Sequence, residues 1–128
     1  MPRTHEPSLE RLVADLFEQR PLQRHELILC RFCHAPVTSL HEELVIDGDH
    51  SHYFINPYGT AYVVGCFRHA PGCDIRGSAT GNHSWFPGFA WQLASCTDCG
   101  EHLGWFYQNN EQQQFFGLIV DKLARYQG

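Results

Sequence analysis

The sequence has little positive charge and gathers it nowhere. Nine lysines and arginines stand against fourteen aspartates and glutamates, for a formal net charge of −5. With no Lys/Arg-rich run, the basic face that a nucleic-acid partner requires is missing. No stretch approaches the roughly 18–20 consecutive apolar residues that span a bilayer, so no membrane helix is expected. The opening Met-Pro-Arg-Thr-His-Glu has no apolar core and carries acid early, so no secretory leader is expected either. Nine histidines are present, yet no Ser/His/Asp set and no metal triad of catalytic spacing emerges, and His50 and His52 read as a solvated turn. Low-complexity tracts and internal repeats are absent apart from two short cysteine motifs. What remains is 128 residues, 43% of them hydrophobic: enough for one domain with a modest core.

Six cysteines in a chain without an evident leader point to a reducing, cytoplasmic setting, where spaced pairs read as metal ligands before disulfides. Four of them form two Cys-x-x-Cys pairs, Cys30/Cys33 and Cys96/Cys99. Each pair makes a tight turn that aims two thiolates at one ion, and four thiolates close a tetrahedral shell. Such a site is structural, and zinc is the expected occupant, although spacing alone does not exclude iron. A thioredoxin-type redox motif would need a helix N-terminus to acidify its thiol, whereas these pairs follow strand-like runs. His34 and His102 come directly after the knuckles and are expected to shield or hydrogen-bond the thiolates. Cys66 lies in an apolar strand and reads as a buried small hydrophobe; Cys73 sits in a Gly/Pro loop and reads as an exposed thiol.

Residues 1–21 form an N-terminal segment and 22–128 the main domain. In the segment, Leu9, Leu12, Val13, Leu16 and Phe17 make one apolar stripe at helical spacing, with Ser8 able to cap its start and Pro21 to stop it. Packing on the domain is the expected role of this helix, and binding a partner the alternative. From Glu26 onward the pattern is mainly β. Leu27–Leu29 leads into the first knuckle. A short strand is expected at Val45–Ile46, others at 52–55, 61–67 and 115–120, a turn at Asn56-Pro57-Tyr58-Gly59 and another at 109–111. Residues 68–82 read as loop, and 121–126 as one helical turn.

All three tryptophans lie in one stretch, Ser84 to Tyr107. Trp85 and Trp91 flank Phe86-Pro87-Gly88-Phe89, which must turn sharply and can set two indoles facing each other. Strand alternation puts Trp105 and Tyr107 on one face and Phe106 on the other. Three indole walls and a tyrosine floor would make a small apolar box. Residues 82–90 contain no carboxylate, which favours a neutral flat heterocycle over a quaternary ammonium, although Asp98 and Glu101 are near in sequence.

His83-Ser84-Trp85-Phe86-Pro87-Gly88-Phe89-Ala90-Trp91, followed by Cys96-x-x-Cys99, His102-Leu103-Gly104-Trp105-x-Tyr107 and Phe116-Gly117-Leu118, strongly resembles the CULT domain, the thalidomide-binding domain of cereblon and of free-standing bacterial proteins. Phe54-x-Asn56-Pro57-x-Gly59 and the first knuckle fit the same pattern. The resemblance runs from about Glu26 to Leu123. With no preceding domain in the sequence, the single-domain bacterial type is the nearer match. The resemblance implies a β-tent fold, two antiparallel sheets pinned by zinc. It also implies a non-catalytic module that binds cyclic imides such as glutarimide or thalidomide-like compounds, uridine-like pyrimidines, or proteins bearing a cyclic imide. Trp85, Trp91 and Trp105 would be the walls, the backbones of His83 and Trp85 would hydrogen-bond the imide, Ser84 would lie at the site, and Asn56 and Pro57 would border the mouth. Tyr107 departs from the phenylalanine of cereblon and would add a hydroxyl to the floor. The competing expectation is a thiol oxidoreductase like the B-type methionine sulfoxide reductases, with Cys66 or Cys73 as nucleophile and His69 nearby.

Overall fold

A computed structural model describes residues 22–126. The expected N-terminal helix lies outside the described residues. The rest is mainly β, with nine strands: β1 (Leu27–Cys30), β2 (Pro36–Ser39), β3 (Ser51–Ile55), β4 (Ala61–Phe67), β5 (Cys73–Thr80), β6 (Ala90–Cys96), β7 (His102–Gln108), β8 (Gln114–Ile119) and β9 (Leu123–Arg125). They form two antiparallel sheets, a small one ordered β2-β1-β9 and a large one ordered β3-β4-β8-β7-β6-β5.

Residues of the same parity along each strand face the same side, and the cross-strand registers carry that parity through the large sheet. One face carries Phe67, Ala94, Phe106, Phe116 and Leu118, which pack with Ile28, Cys30 and Val37 of the small sheet into the main core. The opposite face carries Phe54, Cys66, Trp91, Trp105, Tyr107 and Phe115, a second cluster built mostly from aromatic rings. Phe106 is thus in the sheet-to-sheet core, while Trp105 and Tyr107 belong to the aromatic face. Gly117 faces that second cluster opposite Trp105. A Cβ there would come within 2.9 Å of Val64 Cγ1 and 3.0 Å of Tyr107 Cε2, so only glycine lets the tyrosine ring lie across this strand.

Several local expectations are corrected. Residues 73–80 form the edge strand β5 and are not loop; Ile75, Arg76 and their neighbours are largely exposed, so no apolar alternation marks the strand. Val45–Ile46 contributes only an isolated bridge from Ile46 to Asp49. After β8 the chain makes a 3-10 turn at Val120–Lys122 and then pairs as β9 with β1. His52 lies in β3, against Phe54 and Phe86, and His50 packs edge-on to Phe67. Both rings are half-buried and are not part of a solvated turn.

Candidate functional site

The two cysteine knuckles end β1 and β6 and repeat one hydrogen-bond pattern. Cys30 N–H donates to Ala35 O and His34 N–H to Cys30 O, both at 2.8 Å; Cys96 N–H donates to Glu101 O and Gly100 N–H to Cys96 O, also at 2.8 Å. The fifth residue of each turn has positive φ, 65° at His34 and 81° at Gly100. That left-handed step aims both thiols of a pair the same way. The four Sγ atoms lie within 4.8 Å of one another, with Cys30 and Cys99 at 3.8 Å and Cys33 and Cys96 at 3.6 Å. Thiolates at about 2.3 Å from a tetrahedral zinc have sulfur–sulfur edges of about 3.8 Å, so these four cysteines fit such an ion. None of the six cysteines is in a disulfide.

The neighbouring histidines serve other ends than expected. His102 makes its ring hydrogen bond to Gly104 O at 2.9 Å and packs edge-on to Trp105, 5.2 Å between centroids. Burial, then the nearby Lys122 charge, holds its pKa below the usual value. His34 contributes its backbone to the first knuckle and leaves its side chain exposed.

On the aromatic face a cavity of about 250 Å³ opens among Asn56, Pro57, Tyr58, Tyr62, His83, Trp85, Trp91, Trp105 and Tyr107. Its walls come from three parts of the chain, each fixed locally. The first is the tip of the β3–β4 hairpin. Asn56 Oδ1 accepts the N–H groups of Tyr58 and Thr60, both at 2.9 Å, which shapes the turn.

The second part is the loop before β6. Phe86-Pro87-Gly88-Phe89 is a tight turn, with Phe89 N–H donating to Phe86 O at 3.0 Å and Gly88 at φ 89°. Proline second and glycine third suit a type II turn. Phe86 is buried at the centre of the cluster, edge-on to Tyr107 and Phe115. Ser84 does not line the cavity; its hydroxyl donates to Phe86 O and accepts from Phe86 N–H, bracing the turn that presents Trp85. His83, at φ 57°, takes a left-handed conformation that is uncommon outside glycine but that histidine, like asparagine and aspartate, adopts more readily than other residues. The indole N–H of Trp91 donates to Asn82 O at 2.8 Å, tying the loop to β6.

The third part is β7. Trp105 meets Trp85 edge-on at 5.0 Å and 79°, and Tyr107 lies parallel to Phe115 at 5.1 Å. Trp91 lines the same cavity but makes no ring contact with either other indole among the described residues, so Trp85 pairs with Trp105 and not with Trp91. Tyr107 is buried, and burial, then the nearby Cys66 thiol, pushes its pKa up.

Two aromatic side chains have a role at the cage that the sequence reading did not assign: Tyr62, which lines it, and Phe54, which the sequence marks only as part of the family motif. Tyr62 lies 5.7 Å from both Trp85 and Trp105, the third ring of that cluster. Phe54 stacks flat behind Trp85. Alternation of Tyr62 with Val64 and Cys66 in the expected strand is the signal that marks it as facing inward. No carboxylate lines the cavity: Glu101 is drawn to Lys122 at 3.6 Å, and Asp98 is exposed on the knuckle. Cys73 is buried in β5, correcting its expected exposure, and Cys66 is buried beneath the aromatic cluster. Burial first, then neighbouring negative charge, pushes both thiols up to about 12. They are therefore protonated near neutral pH and poor nucleophiles.

The chain is similar to curated proteins named cereblon. It is 34% identical over 74 residues to the Gallus gallus protein, covering 55% of this chain and 17% of that one. It is 32% identical over 109 residues to the Danio rerio protein, covering 80% and 25%, and 31% identical over 102 residues to the Drosophila melanogaster protein, covering 72% and 17%. The domain is cereblon-like. It spans about a quarter or less of the length of these relatives. No family model matches the chain. Among the described residues, no helix is long and apolar enough to cross a membrane.

Proposed function

We propose that this domain is a non-catalytic binding module whose aromatic cage takes a small, flat, neutral cyclic imide. The observation that carries the reading is a cavity of about 250 Å³ walled by three indoles and three phenols, with no carboxylate in its lining. A cationic guest would gain from the rings but would find no counter-charge. A neutral imide would bury its ring edges and needs few hydrogen bonds. The N–H of Trp91 is already used, so the polar anchors are the backbones of His83 and Trp85, with Asn56 and Pro57 at the mouth and Tyr107 beneath. Pyrimidines of uridine type share the imide edge and fit the same scheme, as would a protein bearing a cyclic imide. The finer likeness to the free-standing bacterial form and the cytoplasmic setting rest on the sequence resemblance and the unpaired thiols. Zinc is the metal we assign to Cys30, Cys33, Cys96 and Cys99, as a structural ion.

Quenching of tryptophan fluorescence by a thalidomide-like imide tests the reading. Affinity is expected in the micromolar range, roughly −7 to −9 kcal/mol. N-methylation of the imide should cost at least about 1–3 kcal/mol, because it removes the donor and leaves a backbone carbonyl unpaired. Equal binding of parent and methylated compounds would show that the imide edge is not what the cage reads.

A further inference from the structure

One polar atom of the cavity has nothing to bind. Tyr107 lines the cavity and is only 2% exposed, yet among the described residues its hydroxyl makes no hydrogen bond. The atom is not sealed off either. Among the described residues the Ser39 hydroxyl is the one side-chain polar atom that is both unpaired and cut off from solvent. The Tyr107 oxygen therefore borders open space, and for a residue this buried that space is the cavity it lines. The other polar groups of the lining are placed differently. The indole N–H of Trp91 donates to Asn82 O, and Asn56 Oδ1 accepts two backbone N–H groups. Tyr58 is exposed and Tyr62 half-buried, so water can serve their hydroxyls.

The Tyr107 ring is not free to swing toward a protein partner. It lies over Gly117 and against Phe86 and Phe115. Burial keeps the phenol protonated, so it can donate and accept. A buried polar group left unpaired costs free energy, and a site built around one discriminates by whether the guest pairs it.

A plain glutarimide carries its polar atoms along one edge, an N–H between two carbonyls, and that edge is taken by the backbones of His83 and Trp85 in the scheme above. The rest of its ring is methylene. Exchanging one methylene beside a carbonyl for N–H gives a cyclic ureide, dihydrouracil, of almost the same shape. The imide edge reads the same from either face, so the ring can turn its second N–H toward the floor.

Building on the cyclic-imide reading, we propose that the Tyr107 hydroxyl is a specificity-determining group that accepts the second ring N–H of a cyclic ureide. The cage then takes ureides at least as well as all-carbon imides, where a floor without the hydroxyl would leave that N–H unpaired and reject them.

The test titrates glutarimide and dihydrouracil against tryptophan fluorescence in the full chain and in its Tyr107→Phe variant. Dihydrouracil should bind the parent at least as tightly as glutarimide. In Tyr107→Phe the ratio of the two dissociation constants should shift toward glutarimide by about tenfold, the loss expected for one unpaired buried donor. A second readout needs no variant: the Cζ carbon signal of Tyr107 in the parent should move further with dihydrouracil than with glutarimide. The same ratio in both proteins, weaker binding of dihydrouracil to the parent, or equal movement of the Cζ signal overturns the role of the hydroxyl while the imide reading stands. If neither compound binds the parent, both fall.

Discussion

The ring of Phe54 lies parallel to the indole of Trp85, 4.7 Å between centroids and 8° from coplanar. Phe54 is on β3 and Trp85 on the loop before β6, so this stack is where the hairpin side of the cage meets the loop side. Phe54 does not line the cavity. It backs the wall that does. Phe54→Ala should therefore lower imide affinity by roughly the worth of one aromatic pair, about 0.5–1.5 kcal/mol, with Trp85 loosened. Fluorescence anisotropy of the tryptophans, read beside the titration, checks this: unchanged affinity would mean that Trp85 holds its place without the stack.

Trp105 and Phe106 are neighbours on opposite faces of β7 and should respond in opposite ways. Trp105→Ala should abolish imide binding while the protein keeps its metal and a cooperative melt. Phe106→Ala removes a ring from the sheet-to-sheet core and should cost about 3–5 kcal/mol of stability with less effect on affinity. Thermal melts and titrations of both variants decide it. If Trp105→Ala unfolds the protein, that indole is core and the cage loses a wall.

Removing one thiolate should unfold the domain. The knuckles join Cys30 to Cys99 and Cys33 to Cys96 across 69 and 63 residues of sequence, and zinc bound by four cysteines contributes on the order of 10 kcal/mol or more. Cys96→Ser should lose metal and the cooperative melt together, and a strong chelator should do the same to the parent. Elemental analysis should give one zinc per folded chain; folded protein without zinc would refute the assignment.

Alkali should destabilise the aromatic face. Burial holds the Tyr107 and Cys66 protons above their ordinary values of 10 and 9. The unfolded chain releases those protons first, so their contribution is complete below about pH 9 and is lost as pH rises toward the folded values. Melting temperature should fall above pH 9. Absorbance at a phenolate wavelength should show one of the five tyrosines ionising last, and Tyr107→Phe should delete that late step. Five phenols titrating together would contradict the burial of Tyr107.

Gly117→Ala should disturb the floor of the cage from behind. The added methyl meets Val64 and Tyr107 at about 3 Å, and overpacking of this kind typically costs about 1–3 kcal/mol. If Tyr107 is what yields, it moves toward the cavity, and affinity should drop along with stability in melts and titrations.

Much of this site is legible in the sequence because its strongest signals are local. Cys-x-x-Cys spacing sets each knuckle, Phe86-Pro87-Gly88-Phe89 sets its own turn, and alternation alone separates Trp105 and Tyr107 from Phe106. What escaped depends on pairings between distant residues. Alternation marks which way Tyr62 faces, but it reaches the indoles because β4 pairs with β8 and β8 with β7, and that register has no local signal. β5 escaped for another reason: as an exposed edge strand running Cys-Asp-Ile-Arg-Gly-Ser-Ala-Thr, it has no apolar face to betray it. Cys73 then passed for an exposed loop thiol because its burial comes from pairing with Cys96.

The order of strands in the large sheet has a consequence for how the cage is assembled in time. The β3–β4 hairpin, which holds Asn56, Pro57 and Tyr62, is paired to β7 and β6 only through β8. Every residue that lines the cavity precedes Gln114 in the sequence, yet the two halves of the cavity have no ladder between them until Gln114–Ile119 slots in. A ribosome therefore delivers all the walls before it delivers the strand that brings them together. The strand that joins the two halves of the cage is thus the last of its parts to be made.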